Sequence, residues 1–232
     1  MTEAIGRIAD PALRKEFDNV RRDLHRRFGH LLTEEAIDEV LAHEITTQVA
    51  SAKIKTFLPT LVERETVAKL EESITAAGGD ATARQEILFV CRRDAGRSQL
   101  ASSITKFHAG EGVIVRTVGL KATEHGANIG AEGVEFEAHR QEVYPEVIAA
   151  LEEKGYPTHF EQMNLVPRTV HRSDVIVLLG VQDIPGVPGK RYENWDIVDP
   201  KGKSLEEVRA IRDQLEEQIL QLLKEMNITV NA

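Results

Sequence analysis

The 232-residue chain holds a single cysteine, Cys91; Arg97 stands six positions later and Ser98 follows at once. Between them runs Arg92-Arg93-Asp94-Ala95-Gly96, a short polar stretch that contains one glycine. A cysteine attacks as its thiolate, and the thiolate is favoured where hydrogen-bond donors point at the sulfur. A strand, a tight turn and a helix start supply such donors, because successive backbone N–H groups curl around one point at the positive end of a helix dipole. The same nest holds a tetrahedral oxyanion. Arg97 adds a planar fork that matches two oxygens of that anion, which a lysine cannot do, and Ser98 has a hydroxyl to donate to the sulfur. No Gly-Lys-Ser/Thr follows, so the turn differs from a nucleotide phosphate loop. A lone cysteine in an arbitrary sequence is usually a small buried hydrophobe; the arginine and serine at this spacing direct the reading to nucleophilic chemistry on an oxyanion. Asp199, in "VDP", stands before a proline on a loop after a strand, a position from which a carboxyl can act as general acid over a pocket. The other reading of Asp-Pro is a turn initiator, and Asp196 competes for the acid role. Arg92 and Arg93 either raise the local potential or are solvated loop residues, and both readings stay open.

The elements that must position these residues fall into two regions. Leu13, Phe17, Val20, Leu24 and Phe28 recur at steps of three and four, one face of a helix that Gly29 closes. Thr33 is the expected N-cap of a second helix carrying Ile37, Val40, Leu41, Ile45 and Val49. Pro59 interrupts, and Thr60 to Glu63 has capping-box spacing for a third helix with Val67, Leu70 and Ile74. Residues 1–78 therefore read as a small three-helix domain and 79–85 as a linker. From residue 86 strands alternate with helices. Ile87 to Val90 is a continuous apolar run, as in a strand covered on both faces. A helix follows over 98–109, then strands at "VIVRTVG" and "DVIVLLG", a helix at "YPEVIAALEEKG" between them, and a short fourth strand in "YENWDIVDP". A long helix with a capping box at Ser204 and Glu207 ends the pattern. The fold class expected for 86–232 is α/β, a four-stranded parallel sheet with helices on both faces. In such sheets ligands bind beyond the carboxyl ends of the strands, where Cys91 stands.

Composition narrows the function classes. With 41% hydrophobic and 29% charged residues the chain reads as globular. No apolar run approaches the roughly 18 residues that cross a bilayer, so no membrane partner is expected. The first residues lack an apolar signal core, so a cytoplasmic location is expected, and one cysteine suits a reducing compartment. A net charge of −9, with 15 acids and 12 bases in residues 1–85, disfavours nucleic acid as a partner. His125, His139 and His159 are too scattered to suggest a metal site.

The loop "ILFVCRRDAGRSQ" resembles the Cys-x5-Arg-Ser loop of the low-molecular-weight protein tyrosine phosphatases and of the arsenate reductases built on the same fold. The resemblance runs on through "DVIVLLG" and "VPGKRYENWDIVDPKGKSLEEVRAIRDQL", over about residues 86–226, and leaves out the helical N-terminus. It implies Cys91 as nucleophile, Arg97 as oxyanion clamp, Ser98 as thiolate stabiliser and Asp199 as general acid, with Arg92, Arg93, Asp94, Ala95 and Gly96 forming the oxyanion-binding loop. Gly96, Gln99 and the Lys-Gly-Lys after Pro200 resemble the arsenate reductase branch, where a small inorganic oxyanion needs no aromatic rim.

Three departures shape what the resemblance implies. Thioredoxin-coupled relatives relay oxidation through further cysteines, which this chain lacks. A reductase of this kind must pass its Cys91–arsenic adduct to an external thiol, mycothiol or glutathione, with a glutaredoxin-like protein finishing the cycle; no tightly bound cofactor is expected. Asp94 replaces the family's usual Asn; it can take the same left-handed backbone, while its charge weakens oxyanion binding. A longer segment follows the second strand, leaving the pocket rim open. The function expected is arsenate reduction. Phosphatase action on phosphotyrosine or small phosphoesters through a cysteinyl-phosphate is the alternative, and a non-catalytic oxyanion-sensing module is a third. The N-terminal helices are expected to pack on the catalytic domain or to form a homodimer contact.

Overall fold

The computed structural model describes residues 5–6, 8–51, 57–120, 142–163, 165, 167–181 and 188–231. The chain divides into two compact units, Met1–Arg84 and Gln85–Ala232.

The first unit contains α1 (Pro11–Phe28), α2 (Glu34–Ser51) and α3 (Leu58–Ala76). Asp10 caps α1, its Oδ1 accepting from Ala12 N at 2.9 Å, and Pro11 opens the helix with φ already set. The five apolar residues at helical spacing are all buried, and they meet Ile37, Leu41 and Ile45 of α2 and Leu58, Val62, Leu70 and Ile74 of α3. Thr33 caps the second helix as expected, its hydroxyl accepting from Ala36 N at 3.3 Å. The third helix corrects the sequence reading. It begins at Leu58, with Pro59 inside the first turn and no side-chain cap, so Thr60 to Glu63 is helix interior. Proline is tolerated there because its missing N–H has no intrahelical partner in any case. Ala81 and Ala83 pack on the helical core, and Arg84 N donates to Arg27 O at 3.1 Å, so residues 79–84 lie against the helices.

The second unit runs β1 (Gln85–Cys91), α4 (Arg97–Ala109), β2 (Val113–Gly119), α5 (Pro145–Glu152), α6 (Pro167–Arg172), β3 (Val175–Leu179), β4 (Tyr192–Trp195) and α7 (Leu205–Glu225). The sheet order is β2-β1-β3-β4 with every pair parallel. Along β1 the side chains alternate. Ile87, Phe89 and Cys91 face the layer built from α4, α5 and α7, while Leu88 and Val90 face Leu165 and Val170. Both faces are covered, which is why the strand reads as one apolar run. The short helix α6 has no amphipathic period long enough to be read from sequence, and it is the element the sequence reading missed.

At the amino end of the sheet the Glu86 carboxylate is buried. It accepts from Arg116 Nε of β2 at 3.0 Å and from Arg172 Nε of α6 at 2.9 Å, which holds the central strand to its neighbours. At the opposite end α7 starts in the expected capping box: Ser204 Oγ accepts from Glu207 N at 3.3 Å while the Glu207 carboxylate accepts from Ser204 N at 2.9 Å. Among the described residues no helix is long and apolar enough to cross a membrane.

Candidate active site

Cys91 is the last residue of β1, and α4 begins at Arg97, so residues 92–96 form the turn from the carboxyl edge of the sheet into a helix N-terminus. The turn is possible because Asp94 takes a left-handed backbone, φ +55°. Cys91 is buried. Its sulfur accepts from Asp94 N at 3.2 Å and lies 3.1 Å from Ser98 Oγ. Ala95, within the turn, is buried, and Gly96 is the helix N-cap. Gly96 is required for space: an added Cβ would lie 2.6 Å from Pro200 Cγ and 3.1 Å from the Tyr144 ring.

Arg97 is buried and reaches across to the loop after β4. Its Nη1 donates to Ile197 O at 3.1 Å and its Nη2 lies 3.4 Å from Asp199 Oδ2. Arg93 Nη1 is 3.6 Å from the same carboxylate oxygen. The Asp199 carboxylate also accepts from Lys201 N at 3.0 Å, so it both shapes the Asp-Pro turn and faces the Cys91 loop. The contact with Lys201 N bears out the turn reading of Asp199, and its contacts with Arg93 and Arg97 place the carboxylate beside the Cys91 loop. Asp196 is exposed, and its backbone carbonyl takes Gln214 Nε2 at 3.5 Å. Arg92 is exposed, whereas Arg93 is half-buried beside Asp199. The structure thus brings Cys91, Arg93, Asp94, Ala95, Gly96, Arg97, Ser98 and Asp199 together, keeps Arg92 in the turn with its side chain exposed, and leaves Asp196 outside.

Three further residues complete the surroundings. Gln99 Nε2 donates to Asp94 Oδ1 at 2.8 Å and to Asp94 O at 3.2 Å. Thr117 of β2 sets its hydroxyl 3.1 Å from Asp94 Oδ2 and donates to Glu161 O at 2.8 Å. Tyr144, just before α5, lays its ring beside Gly96. Burial and the nearby Asp199 charge push its phenol up, against the pull of Arg93. Gln99 entered the sequence reading only as a mark of the arsenate reductase branch, and Thr117 lies in a strand that any core would contain, so neither was read as a partner of Asp94. Tyr144 departs from the expectation of a pocket without an aromatic; it comes from a distant segment, where spacing to the loop is not legible.

Among the described residues no group of three or more His, Cys, Asp or Glu is arranged to hold a metal ion. His159 is exposed, 3.9 Å from Glu161. His125, His139 and the longer segment 121–141 lie outside the described residues, as does 182–187.

Chemically, a buried sulfur in a backbone turn that leads into a helix, with an arginine and a carboxylate meeting beside that turn, suits attack on a tetrahedral oxyanion or its ester. Comparison with known proteins identifies the family. The model of the family described as low molecular weight phosphotyrosine protein phosphatase matches residues 86–232. A glutaredoxin arsenate reductase of Synechocystis is 26% identical over 148 residues, 62% of this chain and 99% of that protein. An arsenate reductase of Staphylococcus epidermidis is 28% identical over 137 residues, 57% of this chain and 91% of that protein. Among solved structures, a thioredoxin-dependent arsenate reductase of Corynebacterium glutamicum is 25% identical, covers 92% of this chain and 97% of its own, and has a TM-score of 0.47.

Proposed function

The chain belongs to the low molecular weight phosphotyrosine protein phosphatase family, and from that premise we propose that it is an arsenate reductase whose Cys91 adduct is resolved by an external thiol. The observation that carries the reading is the meeting of the Cys91 loop, Arg97 and Asp199 within hydrogen-bond reach of one another. Support for arsenate over a phosphoester comes from the matched relatives, which are arsenate reductases.

In this proposal Arg97 and the backbone of residues 92–96 hold the oxyanion. The Cys91 thiolate attacks arsenic; a sulfur–arsenic bond forms and a hydroxyl leaves as water with the proton of Asp199. An external thiolate then attacks the Cys91 sulfur. A disulfide forms between the two, the sulfur–arsenic bond breaks, and its electron pair stays on arsenic, which leaves as arsenite. A second external thiol reduces that mixed disulfide and frees Cys91. The chain's one cysteine leaves no internal thiol for either step. Mycothiol or glutathione suits the first thiol and a glutaredoxin-like protein the second, in keeping with the name of the Synechocystis relative; a reducing cytoplasm is the matching setting.

One observation favours a second reading. The Tyr144 ring beside Gly96 offers an aromatic wall that an aryl phosphate would use, so hydrolysis through a cysteinyl-phosphate is the alternative. Arsenate consumption and p-nitrophenyl phosphate hydrolysis are to be measured side by side, with mycothiol, glutathione and thioredoxin systems and with none. Arsenate turnover that requires added thiol supports the reductase. Efficient thiol-independent hydrolysis without arsenate consumption overturns it in favour of the phosphatase.

A further inference from the structure

The Asp94 carboxyl is buried two bonds' reach from the nucleophile, on the far side of one hydroxyl. Ser98 Oγ lies 2.6 Å from Asp94 Oδ1 and 3.1 Å from Cys91 Sγ. A hydroxyl carries one proton, so Ser98 can donate to the carboxylate or to the thiolate and never to both. The other donors do not make up the difference. Thr117 has a single proton between Asp94 Oδ2 and Glu161 O, and Gln99 Nε2 is divided among Asp94 Oδ1, Asp94 O and Thr117 Oγ1. Two anions at this spacing, both buried, would leave one poorly served.

We propose that Cys91 and Asp94 share one proton through the Ser98 hydroxyl, which makes Asp94 a positioning residue that governs when the sulfur is a thiolate; this rests on the reading of Cys91 as the nucleophile. In one form Asp94 Oδ1 holds the proton and donates it to Ser98 Oγ, and Ser98 donates to the Cys91 thiolate. In the other the Cys91 thiol donates to Ser98, and Ser98 donates to the Asp94 carboxylate. The two interconvert when one proton passes from sulfur to Oγ and another from Oγ to Oδ1. No bond between heavy atoms changes, and the pair keeps a single negative charge throughout.

Burial pushes the Asp94 carboxyl up to about 7, against the opposing pull of Ser98, Thr117 and Gln99, so the shared proton is held near neutral pH. The groups that face it from each neighbouring element leave it to Cys91. From the turn, Arg93 is engaged with Asp199 and Arg92 is exposed. From α4, Arg97 also faces Asp199 and Ile197 O. From β2 comes the Thr117 hydroxyl, and from residues 161–162 the Glu161 backbone carbonyl and Gln162 Nε2, which donates to Asp94 O at 2.7 Å.

Because the chain has one cysteine, iodoacetamide labelling read by mass reports on Cys91 alone. The labelling rate is to be followed from pH 5 to 9.5 in the native chain and in Asp94→Asn, with and without sulfate, a dianion over the whole range. Asn keeps the size, accepts a left-handed backbone and can still accept from Ser98. The native chain is expected to label in two steps, since the first proton lost leaves a pair that shares the one remaining, and that second proton is held by the repulsion its loss would create between two anions. Asp94→Asn is expected to label in one step and at least about twofold faster at pH 7, because no second anion then competes with the thiolate for the Ser98 proton. Sulfate should protect the variant at every pH and the native chain less and less above about pH 7, where Asp94 carries its charge. Superimposable profiles, or a single step in the native chain, overturn the shared proton whatever the arsenate assay gives. Silent arsenate assays with differing profiles overturn the reductase reading instead.

Discussion

The guanidinium of Arg97 occupies the space that a side chain at position 180 would need: a Cβ built on Gly180 would lie 2.0 Å from Arg97 Nη1. Gly180 follows β3 with φ +62°, a backbone that other residues adopt only under strain, and its N–H donates to Trp195 O at 3.1 Å. The absence of a side chain thus lets the arginine cross under the strand end to reach Asp199. Gly180→Ala is expected to displace the fork and to weaken oxyanion binding as much as Arg97→Lys does. For that variant, loss of a charge-assisted hydrogen bond is worth about 1.5–3 kcal/mol, or roughly 10–150-fold in kcat/KM. Calorimetric binding of sulfate to both variants checks it; native affinity in Gly180→Ala would mean that Arg97 does not hold the oxyanion.

The Asp199 carboxylate lies 3.4 Å from Arg97 Nη2 and 3.6 Å from Arg93 Nη1. If it protonates a leaving group, Asp199→Asn should depress phosphoester hydrolysis by roughly 10²–10⁴-fold, the usual worth of general acid–base help. Formation of the arsenate adduct should fall less, because a hydroxyl leaves arsenic with less need of a fixed proton donor. Single-turnover rates with p-nitrophenyl phosphate and with arsenate separate the two. Equal losses on both would reassign Asp199 to holding Arg93 and Arg97 in place.

The buried carboxylate of Glu86 is shared by Arg116 and Arg172 at 3.0 and 2.9 Å. Removing one partner of such a group leaves charge in the interior, at about 3–5 kcal/mol. Glu86→Ala should therefore lower the stability of the sheet unit by that amount while leaving the Cys91 loop, at the other end of β1, able to bind sulfate. The single tryptophan, Trp195, lies in β4, so its fluorescence during urea unfolding reports this unit. A loss under about 1 kcal/mol would show that the arginines are satisfied without the carboxylate.

Much of this site was legible in the sequence because its chemistry is local. Six positions from Cys91 to Arg97 contain a strand end, a turn and a helix start, and residue type and spacing suffice to read them. The four strands and the capping box of α7 were legible for the same reason, since each depends on a continuous run. What was hidden depends on contacts between distant segments. Tyr144 meets Gly96, Gly180 makes room for Arg97, and Thr117 faces Asp94, and no periodicity along the chain records such meetings. The start of α3 was misread because two signals overlapped, and Pro59 marked the first turn of the helix where Thr60 resembled its cap. Asp94 lies between these cases. Its left-handed backbone was expected from residue type, whereas its burial and its sharing of Ser98 with Cys91 required the packing of β2 and α4 around it.

That burial has a consequence for stability. In the unfolded chain an aspartate ionises with a pKa near its ordinary value of about 3.9, whereas in the folded chain burial pushes Asp94 up to about 7. Between those values the folded chain holds a proton that the unfolded chain has released, so stability falls as pH rises through this window. Below it both states are protonated and above it both are ionised, so the loss is complete by about pH 8 and absent near pH 3. A displacement of about three units corresponds to roughly 4 kcal/mol as an upper bound. Asp94→Asn carries no such proton. Its stability, followed by Trp195 fluorescence in urea, should exceed that of the native chain by up to this amount at pH 8. The gap should close as the pH is lowered toward 4. A gap that is constant with pH would mean that Asp94 is ionised in the folded chain across the whole range, with Ser98 committed to it and withheld from Cys91.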